Sequence, residues 1–244
     1  MFDIQTVLIL VIIFLATFVN STLGFGLGLI AMPLLAFIVD IKTAAPLVAL
    51  VATTTAFLIF LKNWRDVNFK NIWKMIVMSS LGIPIGLFLL KGAGDGIMKI
   101  GLSMMIIVFA VYSLIGRGNR TLKSDRTSYF LGLLGGILGG AYNMGGPPII
   151  IYGTMRQWPP LTFRATLQSL FLPATIFISI GHAVGGLMTQ SVLINYLYCI
   201  PILVFTTITG GILNRSIPTD RFNRYVYLIL ILIGAFLLYK SLPF

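Results

Sequence analysis

The chain has 244 residues, 58% of them hydrophobic and 9% charged. A soluble domain is about one quarter charged, so a water-exposed globule, a disordered chain and a collagen-like chain are excluded, and the bilayer is the expected solvent. Seventeen Lys and Arg stand against six Asp and one His, a formal charge of +11; they fall in short gaps between apolar runs, as cytoplasmic loops do, and no nucleic-acid partner is expected.

Polar punctuation divides the chain into ten apolar runs, near 4–22, 24–39, 45–62, 72–90, 97–116, 128–142, 144–155, 164–186, 190–213 and 224–242. A crossing helix needs about 20 apolar residues, so 24–39, 128–142 and 144–155 are short, and each belongs to a pair interrupted by Gly or Asn. No basic segment precedes the first run, which continues past signal-peptide length; it is expected to be a membrane segment. The fold class is therefore an all-α polytopic membrane protein, with short broken or re-entrant helices at the Gly-rich breaks.

Charge sets the expected topology. If every run counts as a segment, one side holds Lys62, Arg65, Lys70, Lys74, Arg117, Arg120, Lys123, Arg126, Arg156, Arg164, Arg215, Arg221 and Arg224. The other holds Lys42, Lys91, Lys99 and Lys240. The basic side is expected in the cytoplasm, with both termini outside. Two half-helices that form a hairpin preserve this parity, so the charges fit ten crossings or paired half-helices equally. Trp64, Trp73 and Trp158 fall at the expected cytoplasmic boundaries, as interfacial anchors do.

The chain also repeats weakly. The stretch from Gly24 through Gly26 and Gly28 to Pro33 overlies Asn143 to Tyr152 at an offset of 119, and Asp95 with Lys99 overlies Asp220 with Arg224 at an offset of 125. The expected organisation is a first repeat over 1–116, a basic cytoplasmic linker over 117–127 and a second repeat over 128–244. Five segments per half is an odd number, so the second half enters from the opposite side, which predicts inverted-topology repeats.

Irregular backbone is tolerated at membrane depth only where protein buries it or it lines a wet cavity. Two breaks meet that description. One runs through Asn20, Ser21, Gly24, Gly26 and Gly28; the other runs from Gly139 through Asn143, Gly145 and Gly146 to Pro147. Half-helices starting there direct backbone N–H groups and positive dipole ends at a common point, which suits a small anion. Pro147 at a first helical turn gives up no needed hydrogen bond. The competing account is small-residue packing between helices.

The pattern G-x-G-x-G-x4-P at Gly24–Pro33 and G-G-x-x-N-x-G-G-P-P at Gly139–Pro148 resembles the TauE/SafE sulfite exporter family of membrane transporters. The resemblance covers nearly the whole chain, including the two halves, the basic central linker and the paired motifs. It implies transport of small sulfur-containing anions such as sulfite, sulfoacetate or related organosulfonates.

Further polar groups lie inside expected spans. Thr54, between Thr53 and Thr55, could offer a hydroxyl to the anion, although a membrane Thr more often bonds its own i−4 carbonyl. Gln168 is costly in lipid, and Arg164 stands one turn before it on the same face, where it could collect anions at the cytoplasmic mouth. His182, the only histidine, is either a proton relay or a residue bonded to water or backbone. Thr206, Thr207 and Thr209 before Gly210 read as tight helix packing, and Cys199 as a small apolar-environment residue.

All six Asp lie at segment ends or in loops, and no catalytic triad, metal cluster or Walker loop can be assembled. An enzyme is not expected, nor is a cofactor. The reading is a multi-pass exporter of the cell inner membrane. It binds a small anionic substrate between the two breaks, sits in membrane lipid and works by alternating access. Proton coupling and a homo-oligomer are both compatible with it. The alternatives are an anion channel or a non-transporting subunit of a larger complex.

Overall fold

In a computed structural model, residues 3–63, 73–115, 126–157, 160–213 and 219–241 are described, and among them every regular element is an α-helix. In chain order these are α1 (Ile4–Leu23), α2 (Leu27–Leu35), α3 (Ile41–Asn63), α4 (Trp73–Gly92), α5 (Asp95–Ile115), α6 (Arg126–Tyr142), α7 (Gly146–Met155), α8 (Pro160–Val184), α9 (Gln190–Leu213) and α10 (Thr219–Ser241). Each expected run carries one helix. Five helices begin before their apolar runs, at 41, 95, 126, 160 and 219, because polar residues join the first turn. Asp95 shows why: an acidic side chain is favourable beside free N-terminal amides, and its Oδ1 also accepts Ile41 N–H at 2.8 Å, which caps α3.

Five helices, α1, α3, α4, α5 and α9, are long and apolar enough to cross a bilayer, and α8 and α10 carry shorter apolar stretches over 169–184 and 225–241. Their outer faces present side chains such as Phe88 and Leu232, 77% and 70% exposed, which only lipid accommodates at such density. The chain is a multi-pass membrane protein. Trp73 stands exposed at the start of α4, whereas Trp64 and Trp158 lie outside the described residues.

α2 and α7 have nine and ten residues, about 14 and 15 Å at 1.5 Å per residue, half of the roughly 30 Å hydrocarbon core. Both turn back on the helix before them. Gln5 Nε2, at the start of α1, donates to Ile38 O just beyond α2 at 3.1 Å, so the chain returns to the side it entered from. α7 likewise runs back along α6: an ideal Cβ on Gly145 would lie 2.8 Å from Gly135 O, and one on Gly135 would lie 3.6 Å from Ile149 Cγ1.

The main helix pairings recur when each helix is exchanged for the one five places on. α1 packs on α9 as α6 packs on α4; α1 on α2 as α6 on α7; α3 on α9 as α8 on α4; and α5 with α10, and α3 with α8, are pairs of equivalents. The α4–α6 seam is the tighter of its kind. A Cβ added at Gly82, Gly86, Gly136 or Gly140 would overlap a backbone carbonyl of the opposite helix, and Ser79 Oγ donates to Gly132 O at 2.9 Å. In the α1–α9 seam, Thr206 Oγ1 donates to Thr17 Oγ1 at 3.0 Å, and Gly210 accommodates Ser21. Packing is therefore the role of Gly210, and Cys199 is a fully buried core residue of α9.

Candidate functional site

Both hairpin tips break with the same device. Helix α1 ends at Gly24 in the left-handed region (φ 85°), its N–H bonded to Asn20 O at 2.7 Å. Asn143, 119 positions on, is also left-handed (φ 54°), with its N–H on Gly139 O at 2.8 Å. Gly is the usual residue at this point of a helix C-terminus and Asn the usual substitute. The next helix starts three residues later in each case, at Leu27 and at Gly146.

Neither restart is capped by a side chain. The first amides of a helix have no partner within it, and Leu27, Gly28 and Leu29 are buried. α2 therefore begins with buried amides that have no partner within the helix. α7 offers fewer, because Pro147 and Pro148 carry none. The tips touch directly: an ideal Cβ on Gly28 would overlap the Asn143 carbonyl oxygen and lie 3.2 Å from Met144 Cγ.

Around this contact lies a cavity of about 80 Å³, room for a few waters or one small polyatomic ion. Equivalent positions line it from both halves. Asn20 and Gly139, Phe25 and Met144, Gly26 and Gly145, Gly28 and Pro147, Ala52 and Phe171, and Ala56 and Thr175 are each 119 apart. Ser79 and Ile83 of α4 also contribute to the wall. None of the described lining residues is ionisable. An anion held here would be stabilised by oriented amides and two helix N-termini, a contribution of about 0.3–2 kcal/mol each, which permits release as well as capture.

Of the residues expected at the site, Asn20, Gly26, Gly28, Asn143, Gly145, Gly146 and Pro147 line this cavity. Gly24 shapes the first tip from outside the lining. Ser21 is buried against Gly210 in the α1–α9 seam. Thr54 turns away: its Oγ1 lies 3.1 Å from Leu50 O and 2.6 Å from Tyr196 Oη. Thr53 and Thr55 bond Ala49 O and Val51 O at 2.8 and 2.7 Å, so the self-bonding expected of membrane threonines is what α3 uses. Arg164 and Gln168 stand in α8, with side chains outside the described residues.

The lining residues missed include Phe25, Ala52, Ala56, Ser79, Ile83, Met144, Phe171 and Thr175. The offset of 119 that aligns the tips pairs Ala52 with Phe171 and Ala56 with Thr175, but from the expected Thr54 it leads to Pro173, outside the lining. Asn143 Nδ2 donates to Ala45 O at 2.7 Å, which ties the second tip to α3, while its Oδ1 has no partner among the described residues.

Similarity to known proteins agrees with this architecture. The family described as sulfite exporter TauE/SafE matches residues 9–237. A Cupriavidus necator protein described as a probable sulfite/organosulfonate exporter TauE is 21% identical over 93% of this chain and 91% of its own length. A Bacillus subtilis protein described as a probable membrane transporter protein YunE is 22% identical over 97% of this chain and 98% of its own. No solved structure matches. With a family match spanning almost every helix, the chain belongs to the TauE/SafE family and is a membrane transporter.

Proposed function

We propose that this transporter exports a small sulfur-containing anion, sulfite or an organosulfonate, across the cell inner membrane. The observation that carries the reading is the cavity walled by positions 119 apart from both halves, with the uncapped starts of α2 and α7 among its lining. The description of the C. necator relative as a probable sulfite/organosulfonate exporter supports the substrate class.

In this reading, residues 1–116 and 128–244 are inverted repeats joined by the basic linker 117–127. The anion lodges between the tips, and rocking of one repeat against the other exposes it to each side in turn. The basic side faces the cytoplasm, both termini lie outside, and Arg164 and Gln168 stand toward the inner mouth. A cell negative inside drives anion exit by about 2.3 kcal/mol per charge per 100 mV. The described lining offers no carboxylate, and in this reading a coupled proton is carried with the anion.

The test is flux of labelled sulfite and a panel of sulfonates in proteoliposomes under imposed voltage and pH gradients. Saturable flux with counterflow is expected. Flux that does not saturate and shows no counterflow would make the protein a channel, and no flux from folded protein would overturn the substrate class.

A further inference from the structure

His182 is fully buried in α8, and neither ring nitrogen has a partner among the described residues. A neutral imidazole carries one N–H donor and one lone pair, and each left unmade in a buried position costs free energy. An apolar side chain of similar size would avoid that cost. Both ring nitrogens are therefore free to bond a guest that reaches them.

The surroundings say where that engagement would come from. Ile178 lies one turn before His182 on the same face of α8 and lines the central cavity. Ile178, Ile83 of α4 and Ala49 of α3 form a small apolar cluster of their own, at most 2% exposed, with Leu87 and Ala174 packed against it. Ile83 and Ile178 of this cluster line the cavity, and His182 follows one turn beyond Ile178 along α8. Beyond it, Gly181 receives the end of Leu87, and an ideal Cβ on Gly185 would lie 3.4 Å from Lys91 Cδ. Lys91 O in turn accepts from Lys42 Nζ at 2.9 Å. The order from the cavity outward is thus an apolar plug, an unpartnered imidazole, then two surface lysines. Near the plug, Thr53 and Ser179 share a hydrogen bond between α3 and α8 at 3.1 Å, so among the described residues the seam parts there with little polar loss.

We propose that His182 is a second anion-binding station, outside a gate formed by Ala49, Ile83 and Ile178, reached when α8 parts from α3 and α4. The inference rests on the transport reading above. The imidazole N–H then donates to the passing anion, and Lys91 and Lys42 draw it on to the surface.

The test compares His182→Leu and His182→Gln with the wild type in sulfite counterflow and in thermal unfolding. His182→Leu should slow exchange about tenfold yet melt no lower than the wild type, because it removes buried unmade hydrogen bonds. His182→Gln, which keeps a donor, should recover most of the rate. A His182→Leu variant that melts lower and exchanges normally would make the residue merely structural and overturn the station. A second measurement does not depend on that variant's folding. In a Cys199→Ser background, His182→Cys should be labelled by a membrane-impermeant thiol reagent from the outer side during exchange, and absence of labelling also overturns it. Wild-type protein without any exchange would overturn the transport reading itself, whereas normal wild-type exchange with unaffected variants sinks only the station.

Discussion

The first tip and the second tip make the same interruption for different physical reasons. At Gly26 the backbone is the constraint: φ is 108°, yet an added Cβ would meet only Val19 Cγ1 at 3.9 Å. At Gly145, the equivalent position, φ is an ordinary −68°, but a Cβ would come within 2.8 Å of Gly135 O and 3.7 Å of Gly139 Cα. One glycine is there for its dihedral and the other for its lack of volume. The left-handed residues before them differ too, since Asn143 adds a side-chain bond to Ala45 O that Gly24 cannot make. Matching letters in two halves of a chain therefore do not imply matching reasons, and substitutions at the two tips should fail in different ways.

The strongest break should come where the tips meet. Gly28→Leu puts a side chain into the Asn143 backbone, which cannot move aside as a flexible side chain would, so sulfite counterflow should fall to background while the protein still inserts. Wild-type flux in this variant would mean the tips need not touch.

Asn143 separates dihedral from hydrogen bond. Asn143→Ala incurs left-handed strain of about 1–2 kcal/mol and loses a bond worth about 1 kcal/mol; Asn143→Gly loses only the bond. Thermal unfolding in detergent should rank wild type above Gly above Ala. Equal melting of the two variants would show that the φ of 54° carries no strain.

Gly26→Ala and Gly145→Ala sharpen the contrast. Gly26→Ala should lower stability by about 1–2 kcal/mol and leave substrate affinity close to normal. Gly145→Ala should weaken affinity by displacing α7 from α6. Titration of sulfite against initial exchange rate distinguishes them, and identical profiles would remove the distinction. The smallest effect is expected at Thr54→Val. Its hydroxyl serves Leu50 O and Tyr196 and not the cavity, so exchange should stay near wild type with a stability loss of about 1 kcal/mol.

Most of the element map was legible in the chain because hydrophobic runs and their interruptions are local signals. The two breaks at Gly24–Gly26 and Asn143–Gly145 were legible for the same reason. The rotation of α3 about its axis was not. Polarity pointed to Thr54, but a hydroxyl can satisfy itself on its own helix, and the face turned to the cavity carries Ala52 and Ala56. Which small residues are seams and which are site was equally hidden. Gly136 lines the cavity and also packs on Ser79 O, and only the pairing of α4 with α6, set by contacts distant in sequence, reveals the double role.

The cavity wall has one further consequence. Equivalent positions carry methyl groups on α3, at Ala52 and Ala56, and larger groups on α8, at Phe171 and Thr175. A guest in this chamber would meet the shape of these two faces together with the tips and the α4 wall. Related transporters can thus evolve toward bulkier or leaner cargo by exchanging one side chain on either face, leaving the rest of the chamber as it is.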